Sequence, residues 1–340
     1  MKVSYNWLQE YFNPPSLRLR RTGKKLPKPE KLAKLLAMHS FEVCEIAKVK
    51  SDYILDIEVL PNRAHDCLCH RGVAREAAAL LKYKIQDTKY KIQGTKHKIN
   101  DFLKVKVQDK ELCPRYCAKV ITGVKVGPSP RWMRERLEAC GINSINNIVD
   151  ATNYVMLDIG QPLHAFDFDK MSGKNIVVRK AKNGEKIISL DDKKYELDEG
   201  ILVIADQKEP LAIAGIKGGK KAEISASTSN IVLEAANFDA AAIRRTSRVL
   251  NLITDSSIRF SAGLDPNLAS EAIDQLAALI QKLAGGEIAQ GIVDIYSKKT
   301  QPKKIKLDIE KVGSLLGINI SQKEIEKILK NLGFKFQVFP

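Results

Sequence analysis

Two ionisable side chains stand in surroundings that do not suit them. Glu234 is the one acid within the apolar run 231–236 (IVLEAA), and His164 is set between Leu163 and Phe166 in the run 161–167 (QPLHAFD). A carboxylate inside an apolar strand is costly unless something pairs with it. An imidazole can accept a proton or hold a ligand near neutral pH. Each also has a plainer reading, Glu234 on the solvent face of an edge strand and His164 as a ring packed beside Phe166. The residues alone leave both readings open.

His164 closes a stretch, 143–167, that is dense in short polar side chains: Asn143, Asn146, Asn147, Asp150, Thr152 and Asn153. Such residues hydrogen-bond backbone and ligands better than they build helix. They are interleaved with Val155, Met156, Leu157 and Phe166, which a solvated loop would not need. The mixture predicts an asparagine-rich loop lining a pocket. A second candidate is the run 214–219 (AGIKGG), a strand ending in a glycine turn whose amides could approach a ligand closely. Most such turns only reverse the chain.

These residues need elements to position them. Residues 1–12 read as a strand leading into a short helix, 30–38 as a helix, 41–47 and 53–60 as strands, and 70–81 as a helix with Val73, Ala77 and Leu80 on one face. Pro61 starts a turn. Residues 13–30 form a proline-broken basic loop. The segment 83–100 repeats YKIQDTK, YKIQGTK and HKIN with a period of seven but without a coiled-coil seam, and reads as a duplicated basic linker or a β-ribbon. Strands follow around Cys113-Pro114, then a helix opened by Pro130, with Trp132, Met133 and Leu137 on one side, and stopped by Gly141. Strands are expected at 175–181, 186–190, 201–205, 211–215 and 231–235, with helices at 238–250 and 266–284. In 305–340, Ser321 and Glu324 form a capping-box pattern, and the final FKFQVFP reads as the start of a strand in a unit cut short. The fold class expected is α+β and multidomain, with mixed or antiparallel sheets and packed helices. The units are 1–82, a linker at 83–105, 106–297, and the opening of another at 303–340.

The 340 residues are 44% hydrophobic and 28% charged, which is ordinary for a globular protein. No run approaches the roughly 20 apolar residues that span a bilayer, and the N-terminus has no signal-peptide core, so a cytoplasmic protein is expected. Six cysteines in a chain of this length do not make a disulfide scaffold. Cys67 and Cys69 beside His65 and His70 lack the second pair that a zinc site needs, so no metal is expected. The net charge of +16 favours a polyanionic partner such as a nucleic acid, although lysines scattered over solvated faces would also produce it.

Longer segments carry a family resemblance. PNRAHDCLCHRGVAREAA, the block from Cys113 through GQPLHAFDFDK, LAIAGIKGG, IVLEAANFDAAAIRRTS and LGINISQKEIEKILKNLGF resemble, in order, the bacterial-type phenylalanyl-tRNA synthetase beta subunit. The resemblance implies an editing domain, called B3/B4, over about 106–297, which hydrolyses tyrosine wrongly esterified to the phenylalanine tRNA. It implies B1-like and B5-like units before and after it. It also implies an α2β2 assembly with an alpha subunit that carries aminoacylation together with ATP and Mg²⁺, and tRNA(Phe) as partner rather than DNA or a membrane. No cofactor is expected on this segment.

By the same resemblance, Thr152 and Asn153 match the family's TN pair, His164 its GQP-x-HAFD histidine, Ala214 and Gly215 its strand-end AG, and Glu234 its strand glutamate. Catalytic roles are expected for His164 and Glu234, and substrate binding for the other four. Glu234 would accept the tyrosine hydroxyl, and His164 would position rather than act as a general base. Lys217 stands where methionine is usual, Ala235 where serine is common, and Ser261-Ala262 replaces a charged pair. The family's inserted OB-fold domain is missing between EVCEIAKVK and SDYILDIEV. A stand-alone trans-editing hydrolase and a non-catalytic tRNA-binding or assembly module are the alternatives.

Overall fold

The computed structural model describes residues 1–13, 23–86, 94–297 and 299–338. Part of the basic loop (14–22), half of the first two repeat copies (87–93), Lys298 and the last two residues lie outside them. Among the described residues no helix is long and apolar enough to cross a membrane.

The first residues build a small three-stranded antiparallel sheet. Asp52–Glu58 is central, flanked by Lys2–Ser4 and Glu42–Val49. The two longer strands are joined by a tight turn in which Lys50 has a φ of 55°, so nothing is inserted where an OB-fold would enter. Helices Tyr5–Phe12, Pro29–His39 and His70–Leu81 cover this sheet and share a core with Leu8, Leu32, Leu36, Leu55, Ile57 and Val73. The expected turn at Pro61 is instead a short helix, Pro61–Cys67, which proline at its first position favours.

The larger part is two sheets face to face with helices on the outside. The six-stranded sheet runs Gly94–Lys98, Glu287–Gln290, Arg115–Thr122, Ile231–Asn237 and Leu163–Asp167, with Val293–Tyr296 also pairing to Arg115–Thr122. The five-stranded sheet runs Lys217–Gly218, Pro210–Ile213, Leu202–Ala205, Asn175–Lys180 and Lys104–Val107. Most pairs are antiparallel, and two are parallel: Glu287–Gln290 with Gly94–Lys98, and Lys104–Val107 with Asn175–Lys180. The fold is thus α+β with mixed sheets. Residues 94–98, read from the sequence as linker or ribbon, already form an edge strand of the six-stranded sheet.

Ile231–Asn237 is buried along its whole length because both its faces are covered. Val232 and Ala236 point into the layer between the sheets with Phe166, Ile204 and Ile213. Leu233 and Ala235 point the other way, against helices Asn147–Ile159 and Leu268–Ala284. Burial on two sides explains why this strand reads as a continuous apolar run rather than an alternating one.

The asparagine-rich stretch is a helix over most of its length, Asn147–Ile159, and not the expected loop. The Asn146 side chain caps it, accepting from the amides of Ile148 and Val149. Asn147 accepts from Gly127 N (3.0 Å) and donates to Lys125 O (2.9 Å). Asp150 gathers the hydroxyls of Ser129 and Ser144 and the amide of Ile145. The short polar residues therefore pin the approach to the helix.

The same helix joins the small N-terminal sheet to the large part. Asp158 is buried and accepts hydrogen bonds from Trp7 Nε1 (3.0 Å), Tyr11 OH (2.6 Å) and Gln275 Nε2 (2.6 Å). Burial still raises its pKa, against the opposing effect of those three donors. Trp7 is stacked between His70 at 3.9 Å and Tyr154 at 4.2 Å. His70 is fully used, accepting from Ser4 N and donating to Leu157 O, and burial pushes its pKa down to about 3. Arg136 forks onto Glu10, and Arg71 pairs with Glu271. Removing the shared acceptor strands three buried donors. Asp158→Ala is therefore expected to cost about 3 kcal/mol, and Tyr11→Phe, which removes one donor, about 1 kcal/mol. Urea midpoints for the two variants check this, and equal losses would show that Asp158 is not the shared acceptor.

Candidate functional site

Antiparallel pairing of Ile231–Asn237 with Leu163–Asp167 sets Glu234 directly opposite His164. Directly opposed residues project from the same face of a sheet. By the alternation described above, that face looks into the layer between the sheets. At the open end of this layer lies a cleft enclosing about 380 Å³, part of it open to solvent, and both side chains line it. Its apolar walls include Ile204, Ile213, Phe238 and Phe260. Apolar walls around a few polar groups suit a small organic group held by a few polar contacts.

Three local devices hold this geometry. Gln161 is buried and donates to Ala236 O (2.8 Å) and Pro162 O (3.0 Å), which ties the turn before His164 to the Glu234 strand. Gly215, with a φ of 69°, turns the chain where a Cβ would meet Phe238 at 2.8 Å and Ile243 at 2.9 Å. Gly218 leaves room for the imidazole, since a Cβ there would lie 2.6 Å from His164 Cε1. Across the cleft, helix Asp255–Ala262 is fastened to this turn by Thr254 Oγ1, which donates to Ile216 O at 2.9 Å, and it contributes Ser256 and Phe260 to the lining.

The electrostatics follow from burial. Desolvation raises the Glu234 pKa from 4.5 to about 8 and lowers that of His164 from 6.5 to about 4. Near neutral pH the carboxyl is largely protonated and the imidazole is uncharged. Neither side chain has a hydrogen-bond partner among the described residues, and His164 makes an edge contact with Phe166 at 4.5 Å between ring centres. Two groups of high hydrogen-bonding capacity are thus left facing the cleft. A neutral imidazole with no carboxylate to orient it suits holding a water or a ribose hydroxyl better than strong base catalysis. Tyr116, which pairs with Ala236 on the neighbouring strand, is also buried, and its hydroxyl has no partner among the described residues. Its pKa is raised by burial and then by the Glu234 carboxyl.

Of the six candidate residues, the cleft brings together His164, Glu234 and Gly215. Ala214 is the adjacent strand end and packs into the core between the sheets. Thr152 and Asn153 lie on helix Asn147–Ile159, which packs on the opposite face of the six-stranded sheet, and they do not line the cleft. The Thr152 hydroxyl bonds back to Val149 O within its own helix. Sequence reasoning missed Gly218 and Ser256 as site residues. Gly218 carried a signal in the glycine turn 214–219, whereas helix Asp255–Ala262 carried none that was read. The six cysteines are free thiols, and His70 near Cys69 is a structural residue rather than a ligand.

Similarity of the sequence to known proteins gives its class. Residues 112–285 match the family described as B3/4 domain, and the chain belongs to that family. The relatives it is similar to are phenylalanine–tRNA ligase beta subunits. That of Anaeromyxobacter dehalogenans is 44% identical over 284 residues, which cover 84% of this chain and 35% of the relative. That of Moorella thermoacetica is 43% identical over 291 residues, 86% of this chain and 36% of the relative. That of Geobacter metallireducens is 44% identical over 287 residues, with coverages of 84% and 36%. The chain spans about a third of the length of these curated relatives. The crystal structure of an N-terminal fragment of the phenylalanyl-tRNA synthetase beta-subunit from Pyrococcus horikoshii superposes with a TM-score of 0.49 at 14% identity, covering 98% of this chain and 88% of that one.

The two titrations leave opposite marks on stability. The folded-state pKa of Glu234 lies above its unfolded value, so the folded state holds the extra proton. Its contribution is fully present below pH 4.5 and is lost as pH rises towards 8. The folded-state pKa of His164 is depressed, so stability is lost as pH falls from 6.5 to 4. Glu234→Gln cannot ionise, and its melting temperature relative to the native chain is expected to climb as pH rises from 5 to 9. His164→Gln should gain on the native chain as pH falls below 6.5. Melting curves across this range check both, and a pH-independent difference for Glu234→Gln would mean that the carboxyl is not desolvated.

Proposed function

We propose that this chain acts as part of a phenylalanine–tRNA ligase beta subunit and that its cleft is a hydrolytic proofreading site for tyrosine esterified to tRNA(Phe). The observation that carries the reading is the facing pair Glu234 and His164, both without hydrogen-bond partners among the described residues, in one apolar-walled cleft. The similarity to beta subunits named for this ligase supports it.

Tyrosine differs from phenylalanine by one hydroxyl. A buried site that pairs with that hydroxyl rejects the analogue lacking it by roughly 10⁴–10⁵-fold, because its polar group would otherwise stay unpaired. Glu234 takes this part, accepting the phenol O–H with its unprotonated oxygen or as the carboxylate, while Ile204, Ile213 and Phe260 enclose the ring. His164, across from it, holds the attacking water or the terminal ribose. Ala214 N and Ile216 N already donate to Leu202 O and Ile213 O, so in this reading the Gly215 amide is the donor left to face a developing oxyanion. In this reading Thr152 and Asn153 act through the helix on the far side of the sheet, and Ala214 by holding the turn.

The partners in this reading are tRNA(Phe) and an alpha subunit in an α2β2 assembly in the cytoplasm. ATP and Mg²⁺ serve aminoacylation on the alpha subunit. The cleft offers a single carboxyl and an imidazole, which does not suit the several oxygen ligands that Mg²⁺ takes.

Purified chain incubated with Tyr-tRNA(Phe) is expected to release tyrosine faster than it releases phenylalanine from Phe-tRNA(Phe). Glu234→Ala should raise KM for the tyrosyl substrate by roughly tenfold or more and abolish the discrimination. Gly218→Ala, whose Cβ displaces the imidazole, should lower kcat more than it changes KM. Undiminished hydrolysis by Glu234→Ala would end the assignment of the hydroxyl reader, and full activity in both His164→Ala and Gly218→Ala would reduce the histidine to packing.

A further inference from the structure

The floor of the cleft carries the carboxyl and the imidazole, and its lip carries a cation. Lys217 is the one lysine or arginine among the described residues that line it, and it directly precedes Gly218, the residue against which the His164 ring rests. Pairing of Lys217 with Ile213 fixes its backbone at the sheet edge. Its ammonium is partly exposed and has no hydrogen bond among the described residues. The nearest anion, Asp191 Oδ2, is 3.7 Å away, beyond hydrogen-bond reach. Asp191 is already engaged by the Ser189 hydroxyl and shares its charge with Lys193 at 3.9 Å. A loose, solvated pair of this kind contributes little and exchanges readily for a better anion. The hairpin carrying Asp191 is held at the lip by Leu190 N, which donates to Gly218 O at 3.1 Å, so the lysine is placed beside the opening.

We propose that Lys217 binds the 5′-phosphate of the terminal nucleotide of an aminoacylated RNA, so that the cleft measures a substrate from side-chain hydroxyl to phosphate. This deepens the proofreading reading and rests on it. A hydroxyl-bearing ring at Glu234 and an ester near His164 leave the nucleoside at the mouth, and the first anion beyond it is that phosphate. An ammonium with its donors free suits a phosphate oxygen as a point charge. The same charge disfavours a free α-ammonium lodging at the lip, which keeps the amino end of the aminoacyl group turned inward.

The test uses two stable amide analogues, 3′-tyrosylamino-3′-deoxyadenosine with and without a 5′-phosphate, titrated calorimetrically against the full chain. In the native chain the phosphate is expected to tighten binding about tenfold, a gain that shrinks as salt is raised. Lys217→Met should lose the gain, and Lys217→Arg should recover most of it, which also shows that the turn tolerates substitution. If the nucleoside analogue binds and the phosphate adds nothing in the native chain, or adds as much in Lys217→Met, the proposal is overturned while the proofreading reading stands. If neither analogue binds, or if Glu234→Ala leaves binding of the nucleoside analogue unchanged, the proofreading reading falls and this proposal with it.

Discussion

The site depends on one register, the antiparallel pairing of Ile231–Asn237 with Leu163–Asp167 that sets residue 234 across from residue 164. Because side chains alternate along a strand, a slip of one residue in either strand would turn one group out of the cleft and into the helix-packed face. Burial on both sides makes such a slip costly. Leu233, Ala235 and Ala165 are embedded against two helices, and Val232, Ala236 and Phe166 fill the layer between the sheets. Gln161 adds a directional constraint by bonding the turn before His164 to the Glu234 strand. The apolar core thus holds two polar groups where neither would settle unaided.

Holding them there costs stability, and the cost shows in their protonation. Burial moves the Glu234 pKa up and that of His164 down, so each rests in its uncharged form. No described residue satisfies either one. Compare Asp158, as buried as Glu234, which is given three donors by Trp7, Tyr11 and Gln275 and joins two parts of the chain. Asp158 serves architecture and is saturated, whereas Glu234 and His164 border the cleft and keep their hydrogen-bonding capacity free.

Much of the scaffold was legible beforehand. Helices at Pro29–His39, His70–Leu81 and Leu268–Ala284 follow from apolar periodicity, and the strands at 175–180, 202–205 and 231–237 from short β-branched runs. Glu234 and His164 stood out because each contradicts its neighbours. The stretch 143–159 misled, because capping asparagines and loop-pinning carboxylates have the same composition as a pocket lining. Asn146, Asn147 and Asp150 satisfy backbone at a helix entrance, and nothing local distinguishes that duty from ligand binding. Gly218 was visible only as part of a turn, since its reason for being glycine is a ring brought in from residue 164.

By itself the amino-acid order determined most of the longer helices and strands, that the chain forms a mixed α+β protein, and that one acid and one histidine are out of place. Those properties are written in neighbours a few residues apart, where periodicity and turn chemistry act. Tertiary structure alone decided that Glu234 and His164, 70 positions apart in the numbering, share a face, that Thr152 and Asn153 lie behind the sheet, and that Lys217 stands at the lip. Pairing register and the choice of which face meets which layer are settled by burial summed over the whole domain, which no local window contains.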